Sequence, residues 1–572
     1  MNIEILPNEL FFKLFEYLHI ADQFQAFYNL NSRFNQLLSR HLKTHNHLNL
    51  FSVSKKNFDV ICRNYLPQFL DRSISIHLFD NAQQISQFLS YGYHFHQFIF
   101  LRFLSLNYVE SASSLQLVID ELQHLNSLTH LLIKQCDIED VLINNGRIFD
   151  QIWTLSTLTY FVFERKKYLW NPFFISPKRI STSIKYVYLD GFSYNSDELH
   201  RLLEHTINLE SLSIEIEHNY DYQLISSPIL SLKKLKLSVQ YSSHITHHLL
   251  HYTPNLTHLT IKLFYVILDG YQWEKLITTY LSNLKVFHFK MEYVRRCNNT
   301  TIEPIDELID SFRSPFWLVE HQWFIQCHIH RSHKRLLAHL CTLPYHFNEF
   351  KMNSTLQFRT TCPADEVRWS YDNVKQLTYQ GSNCSSIRFP NVENLIVVFP
   401  IDTYFKLNLP NLYRLTSMTV KSIETVHDER QFENLLRHTI NLRSLTIKES
   451  SFSYEVLYRL ANSSIRQLDL RGVRYFNEEQ CKKLASSILG TQCERLSISV
   501  CTRTDIPLLV NQMRKLQMLN VHCKDDDWNQ KIYESNPIDT FVRFLKEQLP
   551  TTCAIQRCTG EKTISVQLLI DV

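Results

Sequence analysis

Apolar and polar positions along this chain fall into a frame that recurs three times: Leu-Leu-x-x-Thr-x-Asn-Leu-x-x-Leu-x-Ile at Leu202–Ile214, Leu249–Ile261 and Leu435–Ile447. Between the first two copies, Leu232, Leu235 and Leu237 repeat its second half, so Leu209, Leu232 and Leu256 define a period of about 24 residues. Within each frame, Leu-x-Leu/Ile alternation predicts a short strand with one buried face. The amphipathic stretches between frames, such as Ser196 to His205 and Tyr271 to Leu281, predict return helices.

The frame is followed faintly through His47–Leu50, Ser73–Leu78 and Gln97–Leu101. It becomes explicit at Leu125, Leu128, Leu131, Ile133, Cys136 and Ile138. Further units are predicted at Leu158/Phe161/Phe163, Ile184/Val187/Leu189 and Leu284/Phe287/Phe289. After an irregular stretch around 290–375 they resume at Val374/Leu377/Tyr379, Val392/Leu395/Val397, Leu412/Leu415, Ile465/Leu468/Leu470, Leu496/Ile498 and Leu516/Leu519/Val521. Within the irregular stretch, strand-like runs stand near Trp323–His328 and Leu356–Arg359, read as aberrant units of one continuing array, with a seam between two arrays as the alternative. A last helix at Ile538–Gln548 precedes two strands joined at Gly560-Glu561, which read as a cap over the array's final apolar edge. This unit resembles the leucine-rich repeat. The resemblance implies an α/β fold: a solenoid with a concave parallel β-sheet and outer helices, over residues 48–550, closed by capping strands at 551–572.

Residues 1–47 follow a different pattern. Pro7 can open a helix carrying Leu10, Leu14 or Phe15, and Leu18 on one face; Asp22 can cap a second; Asn31 or Ser32 can cap a third with Phe34, Leu37 and Leu38. Three such short helices hold more apolar residues than they can bury, which suggests a docking module. The ordered set Leu6, Pro7, Glu9, Leu10, Phe15, Tyr17, Leu18, Phe24, Phe27, Leu30, Asn31, Arg33, Phe34, Leu37 and Leu38 resembles the F-box, with Gln23-Phe24 where Asp-Leu is commoner and Phe34 where Trp is frequent.

An F-box followed by leucine-rich repeats resembles the substrate-receptor class of Skp–cullin–F-box ubiquitin ligases. That resemblance implies a non-catalytic subunit docked on a Skp-type adaptor, and through it a cullin scaffold, through Leu6, Pro7, Leu10, Phe15, Leu18, Phe24 and Phe34. The solenoid would then hold an unknown protein substrate. The alternative is a leucine-rich-repeat binding scaffold unconnected with ubiquitin, whose first helices only cap the array. Strand residues just past each frame point out of the sheet. They are Glu164, Asp190 and Glu215 on the acidic side, and Lys262, Lys290, Lys448 and Arg471 on the basic side, a candidate substrate-binding row.

Composition narrows the picture further. A net charge of +3 over 572 residues gives no bulk attraction to nucleic acid or membrane, and neither is expected as a partner. The 13 cysteines lie singly, without Cys-x-x-Cys pairs, and read as reduced and buried; with no secretory leader or membrane span evident, cytoplasm or nucleus is expected. The 8 glycines never cluster, which excludes Gly-rich phosphate loops. No nucleophile motif is present, and no enzyme activity or cofactor is expected. His247/His251 and Cys327/His328/His330/His333 have metal-like spacings but are read as surface or packing residues, so no metal is expected. Asp525–Asp527 is read as a solvated turn.

Overall fold

In the computed structural model the described residues are 3–18, 20–44, 47–50, 53, 55–68, 70, 73–79, 84–109, 112–136, 146–165, 174–192, 194, 196–216, 228–241, 243–296, 303–332, 335–353, 356–363, 371–382, 387–423, 425–448, 453–526, 539–550, 553–559 and 564–570. They form two compact units: residues 1–294 with 301–323 and 339–341, and residues 295–300 with 324–338 and 342–572. The array expected from 48 to 550 is shared between these two units. Ile138, His333, Asp527 and the Gly560-Glu561 turn lie outside the described residues.

The first unit opens with helices α1 (Asn8–Tyr17), α2 (Ile20–Phe27) and α3 (Ser32–Thr44). Phe11, Phe15, Phe27, Phe34, Leu37 and Leu38 make their core. Asn31 caps α3 by accepting the Phe34 N–H at 3.1 Å. Buried Gln23 closes α1, its amide donating to the Phe15 and Leu18 carbonyls at 2.8 and 3.0 Å. Those carbonyls at the helix end need donors, and an Asp in Gln23's place would offer none. Arg33 ties the incoming segment down by donating to the Leu6 and Glu4 carbonyls and to Asn8 Oδ1.

Strands follow as β1 (His47–Asn49), β2 (Ser75–Phe79), β3 (Phe103–Asn107), β4 (His130–Cys136), β5 (Tyr160–Arg165), β6 (Tyr186–Asp190), β7 (Ser211–Ile216), β8 (Lys234–Gln240), β9 (His258–Phe264) and β10 (Val286–Arg296). Each pairs in parallel with the next. The register aligns the frame's own residues, so Leu131, Phe161, Val187, Leu212, Leu235, Leu259 and Phe287 stack in one interior row. This is the α/β order that the repeat implies. One expected strand is absent: Gln97–Leu101 is a 3₁₀ turn and bend, and the strand starts at Phe103. Phe95, Phe98 and Leu101 are the buried residues there, a spacing of three that suits a tight helical turn and not a pleated strand.

The other two fixed residues of the frame have distinct jobs. Thr206, Thr253 and Thr439 are fully buried, and their hydroxyls donate back to the carbonyls of Leu202, Leu249 and Leu436, finishing the return helix. Asn208, Asn255 and Asn441 each donate at 2.8 Å to a carbonyl of the preceding repeat, at Thr182, Leu230 and Tyr413. In each case the acceptor stands two residues before the leucine or isoleucine that opens the preceding frame, Ile184, Leu232 or Leu415, just ahead of the strand. The asparagine is thus a tie between successive repeats. At the other end of the strand, Tyr108, Gly191, Tyr241, Tyr265, Gly381 and Ser422 adopt positive φ one residue past β3, β6, β8 and β9 and two strands of the second unit. Such a residue reverses the chain into the return segment.

The chain continues with β11 (Phe324–Ser332), β12 (Arg335–Leu343), β13 (Glu349–Asn353) and β14 (Leu356–Thr360); β12 and β13 have no leucine frame and were not foreseen. In the second unit β11 and β14 pair antiparallel, an arrangement that a strand-plus-return-helix repeat cannot produce. From there the parallel order returns: β13 with β15 (Gln376–Gln380), then β16 (Asn394–Val398), β17 (Ser417–Lys421), β18 (Ser444–Ile447), β19 (Gln467–Asp469), β20 (Arg495–Val500) and β21 (Met518–Cys523). At β17 the frame slips by three residues: Leu412 lies in a 3₁₀ turn, and Leu415, Met418 and Val420 are the buried row. Two further strands, β22 (Ala554–Thr559) and β23 (Ile564–Leu569), pair antiparallel with each other, and β23 continues the sheet antiparallel to β21.

The turn beginning at Asp525 is not simply solvated. Arg557 on β22 sits between Asp526 and Asp539, with nitrogen-to-oxygen distances of 2.6 Å to each, and its side chain and that of Asp526 are 10% and 7% exposed. Asp539 also caps the helix Thr540–Gln548 by accepting the Val542 N–H. The ion pairs fasten the terminal strands to the last helix.

Candidate protein-binding surfaces

Helix α1 has two apolar faces. Phe11 and Phe15 enter the core, while Leu10, Leu14 and Tyr17 are 49%, 38% and 86% exposed. Positions i, i+4 and i+7 share one helical face, and each step of 100° separates Leu10 from Phe11 and Leu14 from Phe15. Ile5 and Pro7 are exposed beside them, and Leu30 is exposed in the turn between α2 and α3. The seven residues expected to anchor a partner therefore divide. Leu10 and Pro7 are at the surface, and Leu6 and Leu18 are half-buried against the core. Phe15, Phe24 and Phe34 are interior, a correction: a small three-helix unit needs its largest side chains for its own core. Leu14 and Tyr17 take their place on the exposed side.

Phe24 faces elsewhere. Its ring meets Tyr65 edge to face at a centroid distance of 5.5 Å, beside Tyr28. Tyr65 belongs to the helical segment after β1, so α2 covers the beginning of the repeats. Burial by this contact, with Tyr28 nearby, raises the Tyr65 phenol above its ordinary pKa.

On the outward face of the first unit's sheet, Phe103, His130, Tyr160 and Tyr186 occupy one rung of β3–β6. Their rings follow at 5.8, 5.3 and 5.7 Å, a partly exposed aromatic ladder. Burial lowers the His130 pKa, which favours its neutral form. Each ladder residue immediately precedes the frame's first strand apolar residue. That position carries the signal in the sequence. Two residues further along β6, Tyr188 lies under the Lys236 ammonium at 5.5 Å. Burial, followed by the charges of Asp190, Glu164 and Glu215, keeps its phenol protonated far above the usual range.

Glu164 and Asp190 are register partners, Glu215 pairs with Ser238, and Ser238 with Lys262, which is followed by Lys290. Glu164, Asp190 and Glu215 are partly exposed. Glu164 accepts from the Gln135 amide, and Asp190 accepts from the Gly191 N–H at 3.0 Å. The basic block is thinner than the residue types suggest: Lys290 is mostly covered and stands 3.6 Å from Glu292. In the second unit Lys448 is exposed past β18. Arg471 is engaged by Asp469 through both carboxylate oxygens at 3.0 and 2.7 Å, which neutralises it locally. Lys290 and Arg471 are thus each paired with a carboxylate of their own strand or its end, Glu292 and Asp469.

Most of the cysteine side chains among the described residues are buried. Burial first, with smaller charge effects, pushes Cys62 and Cys341 up to about 12, so these thiols are protonated and unreactive. Neither His247/His251 nor Cys327/His328/His330 supplies three converging ligands among the described residues. His328 is buried with Nε2 3.0 Å from the Tyr371 hydroxyl, and His251 stacks edge-on with Tyr252 and Tyr280. A different grouping, His94, His96 and Glu121, does converge. No helix among the described residues is long and apolar enough to cross a membrane.

No family model and no curated protein matches the chain. Among solved structures, a chain described as "Crystal structure of TLR13-ssRNA13 complex" is 13% identical over 74% of this chain and 78% of that one, with a TM-score of 0.26. At that score the architecture rests on the strand pairing itself.

Proposed function

We propose that the chain is a protein-binding receptor of the F-box/leucine-rich type. Its N-terminal helices dock a Skp-type adaptor, and the outward faces of its sheets engage a protein substrate for ubiquitin transfer. The observation that carries the reading is the second apolar face of α1. A helix that already has a core face presents Leu10, Leu14 and Tyr17 to solvent at the spacing by which helices are recognised in grooves. Such a receptor contributes no catalytic group; it raises the effective concentration of substrate near the transferring enzyme. The aromatic ladder with its acidic border suits a partner carrying basic and apolar side chains.

The test is capture of purified Skp-type adaptor by the full chain. Leu10→Asp with Leu14→Asp is expected to abolish capture, whereas Phe24→Ala, on the face turned to the repeats, is expected to leave it. Equal capture by the double variant and the unchanged chain would overturn the docking reading.

The second reading, a scaffold unconnected with ubiquitin, is favoured by the Phe24–Tyr65 contact, which gives the helices a capping role in their own right. Under that reading the adaptor is not captured by any form of the chain. The two roles use different faces, so the assay separates them.

A further inference from the structure

We propose that His94, His96 and Glu121 form a binding site for a divalent transition-metal ion of the zinc type. Phe95, fully buried, pins the 3₁₀ turn Phe95–Gln97. The imidazoles on either side emerge together, with ring centroids 5.3 Å apart and planes at 20°. Glu121 approaches from the last turn of the helix Ala112–Leu122. One carboxylate oxygen lies 2.6 Å from His94 Nδ1, and the other accepts the Phe95 N–H at 2.6 Å. Ligand atoms of the three residues lie within 4.8 Å of one another. His124 stands next to them, its ring 6.3 Å from that of His96.

The donor set selects the ion. Imidazole with a single carboxylate suits zinc, cobalt, nickel or copper, whereas magnesium and calcium call for oxygen ligands throughout. Bonds of about 2.0–2.1 Å in a tetrahedral site place ligand atoms roughly 3.3 Å apart. His94 must therefore move slightly away from Glu121 and His96 slightly toward it, which exposed rings do by side-chain rotation. Glu121 is the fixed member, because the Phe95 N–H orients its carboxylate, as outer-shell partners of metal ligands do. The sequence carries part of the signal as Glu121-x-x-His124, an i,i+3 spacing that puts two residues on one side of a helical turn, whereas His94 and His96 meet because His94 is extended just before the turn that carries His96. None of these residues belongs to the adaptor or substrate surfaces.

The full chain, stripped with a chelator, would be titrated with Zn²⁺ against a chromogenic zinc indicator, and separately with Co²⁺ followed by its visible absorption. One tight equivalent is expected, undisturbed by excess Mg²⁺. His94→Ala with His96→Ala should weaken it by at least about tenfold and remove the cobalt band, and Glu121→Gln should also weaken it. His247→Ala with His251→Ala should change neither. Far-UV circular dichroism checks folding, and Glu121→Gln, which keeps an oxygen for the Phe95 N–H, serves as the variant least able to disturb the fold. Unchanged zinc affinity in the His94/His96 and Glu121 variants, or equal loss in the His247/His251 control, overturns the proposal.

Discussion

The first helices and the last strands both finish a run of repeats, and they do so in opposite ways. Helices α1–α3 cover the first repeat through Phe24 and Tyr65 and still leave Leu10, Leu14 and Tyr17 in solvent. Strands β22 and β23 continue the sheet past β21 and secure themselves with Arg557, held by Asp526 and Asp539 and lying 5.5 Å over the Phe541 ring. One end has apolar surface left over; the other satisfies its charges internally. An end cap needs only the second arrangement, so the surplus apolar face on α1 is the part that the proposed docking role explains.

The sharpest way to break this contrast is Arg557→Ala. It leaves two carboxylates without their cation in a largely covered place and should cost about 3–5 kcal/mol locally. Amide hydrogen exchange should show β22 and β23 losing protection while α1–α3 keep theirs; equal protection would remove the ion pairs from the account of this cap. Next in size, Leu10→Asp with Leu14→Asp should reduce adaptor affinity by about 100-fold without shifting the thermal midpoint, since neither side chain enters the core. A fall in the midpoint would mean that the exposed face supports the fold instead.

Acid sharpens the comparison further. Burial raises the Asp539 pKa, but hydrogen bonds from Arg557 and the Val542 N–H and the guanidinium charge outweigh it, so the net value is depressed. A depressed carboxylate stabilises the folded state above its unfolded pKa and ceases to do so as pH falls through the folded value. Protection of β22 and β23 should therefore weaken below about pH 4, and Arg557→Ala should flatten that dependence. The smallest effect is expected between the ends: Asn441→Ala removes one inter-repeat hydrogen bond at a largely exposed site and should cost about 1 kcal/mol, read as faster exchange in β18.

Much of the fold was legible because a repeat states its rule several times. The frame's leucines align strand by strand in the observed register, as at Leu212, Leu235 and Leu259. The rule failed where the pattern changed its period. Phe95, Phe98 and Leu101 form a helical turn, and β12 and β13 arise from segments with no leucine frame. The site was less legible. Phe15 and Leu14 are adjacent in sequence, apolar and both matched by a helical pattern, yet a rotation of 100° sends one into the core and the other into solvent. Arg471 and Lys448 look alike past their frames, but only Arg471 has Asp469 two residues before it and within reach.

By itself the sequence determined the unit of construction. Alternation sets which strand residues are inside, and in the three full copies of the frame the buried threonine finishes the return helix and the asparagine ties the repeat to the one before. Tertiary structure decided the division into two units, which surface cations are neutralised, and how His94, His96 and Glu121 meet. Those outcomes depend on distances between segments far apart in the chain, and a frame that repeats every 24 residues or so carries no information about its exceptions.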